Sequence, residues 1–152
     1  MKRVQFKVSI DTSADQVYDK MLGLAKKLTY EHWTAVFNPT STYEGNWKKG
    51  EKMRFIGTDE KGVKGGIVSE IVDNIPNQFV SIRHYGLVKG DTEITEGPEV
   101  EKWANGFENY TFEENSGSTT VKVDLDITDE FQDYMEQTYP KALDKLKELC
   151  EN

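Results

Sequence analysis

The amino-acid sequence predicts an α+β fold in which a mainly antiparallel sheet is combined with one long C-terminal helix. Residues 2–10 and 119–127 alternate between polar and apolar side chains, which is the period of a half-buried strand. Between them, clusters of turn-forming residues divide much of the chain into short extended segments. From Phe131 to Leu149, apolar residues recur every three or four positions, as in an amphipathic helix.

Two short helices are predicted directly after the first strand. Thr12 or Ser13 is a suitable N-cap for the first helix, and Gln16 follows at the spacing of a capping box. The second helix is predicted over residues 28–37, and it should stop before Pro39 because a residue that precedes proline avoids helical backbone. The buried stripe of the first helix would consist of Val17, Met21 and either Leu24 or Ala25.

A meander of about six strands is predicted next. It is followed by the long helix, for which Thr128 is the expected N-cap, with negative charge in the first turn. Pro140 lies inside that helix and removes a backbone hydrogen bond, so a kink or restart is expected near Tyr139. The longest irregular stretch, residues 90–105, is acidic and long enough to act as a lid. The strands are expected at residues 42–45, 51–58, 63–72, 78–89, 106–114 and 119–127.

Length and charge restrict the class of protein. The 152 residues suit a single domain, residues 1–152, with a core of its own. Nineteen basic residues against 27 acidic ones give a net charge of −8, which argues against nucleic acid or an anionic membrane as a partner. The single cysteine, Cys150, allows no internal disulfide, and no apolar run has the length of a membrane span. We therefore expect a cytoplasmic protein, monomeric and without an export signal.

Five stretches of the chain resemble one known family. The order of predicted elements is similar to the helix-grip fold of the START-like (SRPBCC, Bet v 1-like) superfamily. Within it, the sequence looks most like the family named after the activator of heat-shock protein 90 ATPase. The stretches are residues 33–39 (WTAVFNP), 45–55 (GNWKKGEKMRF), 66–71 (GIVSEI), 79–86 (FVSIRHYG) and 139–146 (YPKALDKL).

The resemblance has consequences for fold and function. It implies a curved antiparallel sheet of six to seven strands wrapped around the long C-terminal helix, with a cavity between them. Members of the wider superfamily bind apolar small molecules there. The resemblance also implies a chaperone as a partner, although we expect a single domain without the separate N-terminal domain of the eukaryotic co-chaperone. Because one fold supports many functions, the function has to be inferred from the residues of the site.

The sequence contains no pattern that predicts a metal site or a catalytic triad. His32 and His84 are the only histidines, and neither has the spacing of a metal-binding motif. No serine is framed as a nucleophile, and Cys150 is nearly terminal. We expect no metal and no cofactor, and a protein that is not an enzyme.

The orientation of the strand at residues 78–89 has two interpretations. His84 shares parity with Val80 and Ile82, which favours a histidine on the apolar face, held by hydrogen bonds. With the opposite parity, Arg83 would lie in the cavity and could anchor a ligand carboxylate. A bulge in a strongly curved sheet would permit either arrangement.

Aromatic and methionine side chains are the main candidates for a ligand site. Each of them alone is explained by core packing. Tyr139, Tyr110 and Trp103 also combine a flat apolar body with a polar tip, which suits a cavity that holds an apolar ligand in one orientation. The complete set of candidates is Trp33, Phe37, Met53, Phe55, Ile82, His84, Trp103, Tyr110, Phe112, Met135 and Tyr139.

Three hypotheses of function follow. The first is a carrier or binder of a small hydrophobic molecule, lipid or aromatic. The second is a protein-interaction module related to heat-shock protein 90 ATPase activation, whose acidic surface would bind a basic patch. The third is a cyclase or hydrolase of the superfamily, with His84 or Arg83 as the acting group, and it ranks last because no paired acid and base are evident.

Overall fold

The computed structural model describes residues 1–152 and contains eight strands and four helices. The predicted α+β class is confirmed, and each predicted strand is present within a few residues. The strands are β1 (Lys2–Ile10), β2 (Thr42–Gly45), β3 (Lys52–Thr58), β4 (Lys64–Ile75), β5 (Phe79–Lys89), β6 (Thr92–Ile94), β7 (Gly106–Asn115) and β8 (Ser118–Ile127). The helices are α1 (Ala14–Leu22), α2 (Lys27–Thr34), α3 (Pro98–Glu101) and α4 (Asp129–Glu151).

All strands belong to one antiparallel sheet in the order β1-β8-β7-β5-β4-β3-β2. Strand β6 lies off this path and pairs only with the end of β5. The same edge of β5 pairs with β7 from Phe79 to His84 and with β6 from Leu87 to Lys89, so the sheet divides at this strand. The expectation of six to seven strands was therefore one short.

The stretch between Gly90 and Asn105 is not irregular throughout, as the sequence had suggested. It begins with a hairpin to β6 and continues into the single turn of α3, whose buried residue is Val100. Both elements are too short to show a period in the sequence.

The first two helices are shorter than predicted. Helix α1 ends at Gly23, which has a left-handed backbone with φ of 70°, so Leu24 and Ala25 lie beyond its buried stripe and are exposed. Helix α2 ends at Thr34, and the N–H of Phe37 then closes a turn onto the Thr34 carbonyl at 2.9 Å.

Long-range contacts, and not the predicted capping box, complete the ends of α1. Ser13 occupies the N-cap position, but its hydroxyl bonds to Asp15, and the first helical N–H, at Ala14, donates to Glu114 of β7 at 2.7 Å. At the other end, the Leu22 carbonyl accepts hydrogen bonds from the Trp47 indole and the Tyr43 hydroxyl, each at 2.9 Å.

Helix α4 is continuous from Asp129 to Glu151, so the predicted restart near Tyr139 is wrong. Pro140 is exposed, so its ring lies away from the core while the helix continues past the missing backbone donor. The helix packs against β1, α1 and α2. Its buried side chains are Tyr139, Ala142, Leu143, Leu146 and Cys150.

One main hydrophobic core of 26 buried residues lies between the sheet and the helices. A smaller cluster of Ile56, Val68 and Val88 is separate from it and packs with Tyr85. None of the helices is both long and apolar enough to cross a lipid bilayer.

Candidate ligand cavity

A partly open cavity of about 540 Å³ lies between the sheet, α2 and the first half of α4. Twenty-six residues line it, 15 of them hydrophobic, and β3, β4, β5, β7 and β8 all contribute. The aromatic residues of the lining are Tyr30, Trp33, Phe37, Phe55, Trp103, Tyr110, Phe131, Tyr134 and Tyr139.

Eight of the eleven candidate residues line this cavity, and three do not. Met53, Ile82 and Phe112 lie in the main core instead. Met53 and Ile82 are completely buried, and Phe112 packs edge-on against Tyr18 of α1, which covers that end of the sheet. The eight lining residues are Trp33, Phe37, Phe55, His84, Trp103, Tyr110, Met135 and Tyr139.

A bulge in β5 decides which side chains of this strand face the cavity. Ser69 and Val68 are consecutive on β4 but pair with His84 and Gly86, so Tyr85 is the extra residue. The alternation reverses there, and both His84 and Leu87 line the cavity.

The interpretation with Arg83 inside the cavity is wrong. Its guanidinium donates to Glu70 at 2.7 Å and to Asn105 at 2.7 Å, and it lies over the ring of Tyr85. These partners hold Arg83 on the opposite face of the sheet from His84.

A chain of four polar side chains crosses from β4 to α4 at the cavity wall. The Ser69 hydroxyl lies 2.6 Å from Nδ1 of His84, and Nε2 of His84 lies 2.9 Å from Oε1 of Glu108. The hydroxyl of Tyr139 donates to Oε2 of the same carboxylate. Because a carboxylate only accepts, Nε2 of His84 carries the proton in this contact. Every polar atom of the imidazole is therefore satisfied.

Sequence reasoning missed Glu108, although a signal for it was present. Tyr110 and Phe112 are candidates on the same strand, and Glu108 has the same parity as both of them. Tyr30 was missed as well. It lies three residues before Trp33 on α2, and their rings meet edge-on at 5.9 Å between centroids.

Burial and the negative charge of Glu108 both raise the pKa of the tyrosines around this cluster. Burial is the larger cause that raises the pKa of Tyr110 and Tyr139 well above the ordinary value of 10.0, and the negative charge of Glu108 raises it further. The pKa of the fully buried Tyr30 is raised for the same two reasons. These phenols remain protonated donors throughout the neutral pH range.

The second carboxylate in the cavity lining, Asp126, is already paired with a cation. Arg3 binds it through two nitrogens at 2.8 and 3.1 Å, and the Phe107 N–H donates to it at 2.9 Å. The hydrogen bonds from Arg3 are the largest cause that lowers the pKa of Asp126. Its charge is therefore balanced before any ligand is considered.

Three side chains at the N-terminal end of α4 line the cavity, and two of them are exposed to solvent. Phe131 and Tyr134 are 49% and 46% exposed although they line the cavity. Nearby in sequence, Thr128 also lines the cavity, and its buried hydroxyl has no hydrogen-bond partner. The predicted N-cap position of Thr128 is right, but its side chain makes no capping bond.

The cluster lacks an accessible nucleophile. Ser69 is completely buried and does not line the cavity. Burial raises the pKa of the Cys150 thiol to about 11, and this residue also lies outside the cavity. The polar groups that reach the cavity are thus suited to holding a ligand by hydrogen bonds and charge.

No family model matches the sequence, and no curated protein matches it significantly. Solved structures match over almost the whole chain. Aha1 from Colwellia psychrerythraea, solved as a dimer, is 18% identical with a TM-score of 0.71, covering 99% of this chain and 97% of that one. An uncharacterised protein from Rhizobium leguminosarum is 15% identical with a TM-score of 0.63, covering 99% and 95%.

A third similar structure is a protein from Chromobacterium violaceum, 13% identical with a TM-score of 0.68, covering 100% of this chain and 99% of that one. At such low identity the likeness concerns the fold, and it agrees with the element order and sheet topology described above. The chain therefore has a helix-grip fold.

Proposed function

We propose that this protein binds a small hydrophobic molecule with aromatic character in the cavity between the sheet and α4. The observation that carries the proposal is the combination of an aromatic lining with one polar cluster at its wall. A volume of about 540 Å³ falls within the range typical of small-molecule sites. The polar cluster holds no accessible serine or cysteine, which favours binding over catalysis, and the composition favours a cytoplasmic site of action.

The polar cluster gives the ligand an orientation. Glu108, His84 and Tyr139 occupy one region of the cavity wall, whereas aromatic and aliphatic side chains make up most of the rest. A ligand with one polar end would place that end at Glu108 and its apolar body against the rings. This arrangement resembles a carrier site, in which a few fixed polar groups select among molecules of similar size.

Amide NMR spectroscopy tests the proposal. A panel of aromatic molecules, sterols and fatty acids is titrated into the protein, and we expect saturable shifts at Trp33, Phe55, Tyr110 and Met135 for at least one class. Met135→Trp should weaken that binding, because this half-buried side chain lines the cavity. Scattered surface shifts, or none with any compound, would contradict the proposal.

The control is Glu136→Trp, the adjacent and exposed position on α4. It adds the same bulk to the helix outside the cavity, so binding should be unchanged. Equal loss in both variants would mean that α4 itself was disturbed.

The likeness to Aha1 favours a second candidate, a protein-interaction module that binds heat-shock protein 90. The net charge of −8 would support contact with a basic patch on the chaperone. Calorimetry with the chaperone's middle domain at low and at high salt tests it. Binding that weakens with salt supports this candidate, and no binding at low salt removes it.

A further inference from the structure

We infer that the ligand is an organic cation, a hydrophobic aromatic molecule that carries one protonated amine. This inference rests on the proposed binding function and specifies the chemistry of the ligand. It follows from the charges that line the cavity and from the faces of its aromatic rings.

The charges of the lining are all acidic apart from a single histidine. No lysine or arginine lies among the lining residues, and the carboxylates are Glu108 and Asp126. Asp126 is paired with Arg3, so its charge is balanced. Glu108 accepts a hydrogen bond from the Tyr139 hydroxyl, contacts the His84 imidazole and has the neutral Tyr110 phenol beside it. No lysine or arginine contacts Glu108, so with a neutral imidazole the cavity keeps one unbalanced negative charge.

Glu108 is able to bind a further donor. Its side chain is 16% exposed, and it belongs to the cavity lining. A carboxylate offers about four acceptor positions, and the contacts with His84 and Tyr139 occupy two of them. An ammonium group placed there would donate to the remaining positions and balance the charge in surroundings from which water is partly excluded.

The aromatic lining acts in the same direction. The face of an aromatic ring is negative, so a cation is attracted to it. Trp33, Tyr110 and Tyr139 are almost completely buried, but Phe37, Phe55 and Trp103 line the cavity with part of their surface exposed. Phe55 lies beside the polar cluster, with its ring centroid 6.1 Å from that of His84. An anionic ligand such as a fatty acid would find no basic partner in the lining and would be repelled by Glu108. The charge of Glu108 should therefore make amines bind more tightly than carboxylates of the same size.

Three ligands that share one ring system test the inference at pH 8. They are 2-naphthylmethylamine, 2-naphthalenemethanol and 2-naphthoate, with affinity measured by tryptophan fluorescence and calorimetry. We expect the amine to bind at least tenfold more tightly than the alcohol, and the naphthoate to bind more weakly than either. An alcohol as tight as the amine, or a naphthoate that binds best, would overturn the inference and leave the binding function in place. No binding by any of the three would overturn both.

The Glu108→Gln variant tests whether the preference for the amine over the alcohol depends on Glu108. Glutamine keeps an acceptor for His84 and a donor toward Tyr139 but removes the charge. The amine should then bind within threefold of the alcohol. Glu113→Gln is the matched control, because Glu113 is exposed on the same strand and pairs with Lys122 outside the cavity. It should keep the full preference, and an equal loss in both variants would overturn the role of Glu108. If Glu108→Gln fails to fold, the three-ligand series with the natural protein decides alone.

Discussion

The hydroxyl of Tyr139 on α4 donates a hydrogen bond to Glu108 on β7, and the ring of the same tyrosine stacks on Phe6 of β1. The ring centroids of Phe6 and Tyr139 are 5.0 Å apart, and their planes differ by 8°. One side chain therefore fixes the long helix to two different strands. The orientation of Glu108 in the cavity depends on this contact.

Tyr139→Phe should lower the free energy of unfolding by about 1.5–3 kcal/mol, because it removes a hydrogen bond to a charged group and keeps the stacking on Phe6. Urea denaturation measures the change. Tyr134→Phe on the same helix is the control: its side chain is 46% exposed, and it should change stability by less than about 0.5 kcal/mol. Equal losses in both variants would show that the bond to Glu108 contributes nothing.

Two neighbouring glycines in the cavity wall should respond differently to alanine. At Gly66 the backbone has φ of +153°, and a Cβ would lie 2.0 Å from the Phe55 carbonyl oxygen. Gly66→Ala should therefore cost at least about 2 kcal/mol. At Gly65 the nearest atom, the Val88 carbonyl oxygen, is 3.8 Å away, so Gly65→Ala should stay within about 0.5 kcal/mol. Thermal and urea denaturation compare the two, and similar stabilities would disprove the close approach of β3 and β4.

Alkaline pH should destabilise the protein more steeply than ordinary tyrosines would allow. Burial raises the pKa of Tyr30, Tyr110 and Tyr139 in the folded chain, whereas the unfolded chain loses these protons near pH 10. Their contribution to stability is thus complete below pH 10 and is lost as the pH rises above it. For each of the three, the free energy of unfolding should fall by about 1.4 kcal/mol per pH unit.

Urea denaturation between pH 9 and pH 11 measures this slope, and tyrosinate absorbance reports the titration directly. Tyr18 and Tyr43 also have raised pKa values and add to the slope, so Tyr110→Phe should reduce it by the contribution of one phenol, about 1.4 kcal/mol per pH unit. Absorbance that shows all seven tyrosines ionised while the circular dichroism stays native would contradict the prediction.

Cys150 should react slowly with thiol reagents. Burial raises the pKa of its thiol from 9.0 to about 11, which leaves roughly a hundredfold less thiolate at pH 8. Reaction with a chromogenic disulfide should be slow in the folded protein and fast in guanidinium chloride. A Cys150→Ala, Glu148→Cys double variant places the thiol at an exposed position of the same helix and should react quickly when folded. A rapid reaction of Cys150 in the folded chain would disprove its burial.

The regular parts of the fold could be predicted from the sequence because each has one wet and one buried face. In β8, Val121, Val123 and Leu125 are buried and alternate with half-exposed residues. This gives the clean period of two. Helix α4 could be predicted in the same way, because its apolar residues recur every three or four positions on one face. Strand β6 and helix α3, with three and four residues, are shorter than the window in which a period becomes visible.

The site was harder to predict because it depends on local departures from regularity. The extra residue Tyr85 reverses the alternation of β5, and the sequence around it has no pattern that predicts a bulge. Glu108 was overlooked because carboxylates usually lie on solvated surfaces. Its placement depends on Tyr139, which lies 31 residues away in the chain. Cavity and core residues such as Trp33 and Met53 carry the same apolar signal, so only the three-dimensional packing separates them.

The order of strands in the sheet also bears on how the chain folds. Strand β1 is completed only by β8, and residue 6 pairs with residue 123. The edge that supports α4 therefore joins two segments separated by most of the chain, a high-contact-order arrangement whose loop-closure entropy slows folding. During synthesis, β1 can pair with its partner strand only after β8 has left the ribosome. The stacking of Phe6 on Tyr139 can form only after α4 has also been made, and the cavity is completed with it.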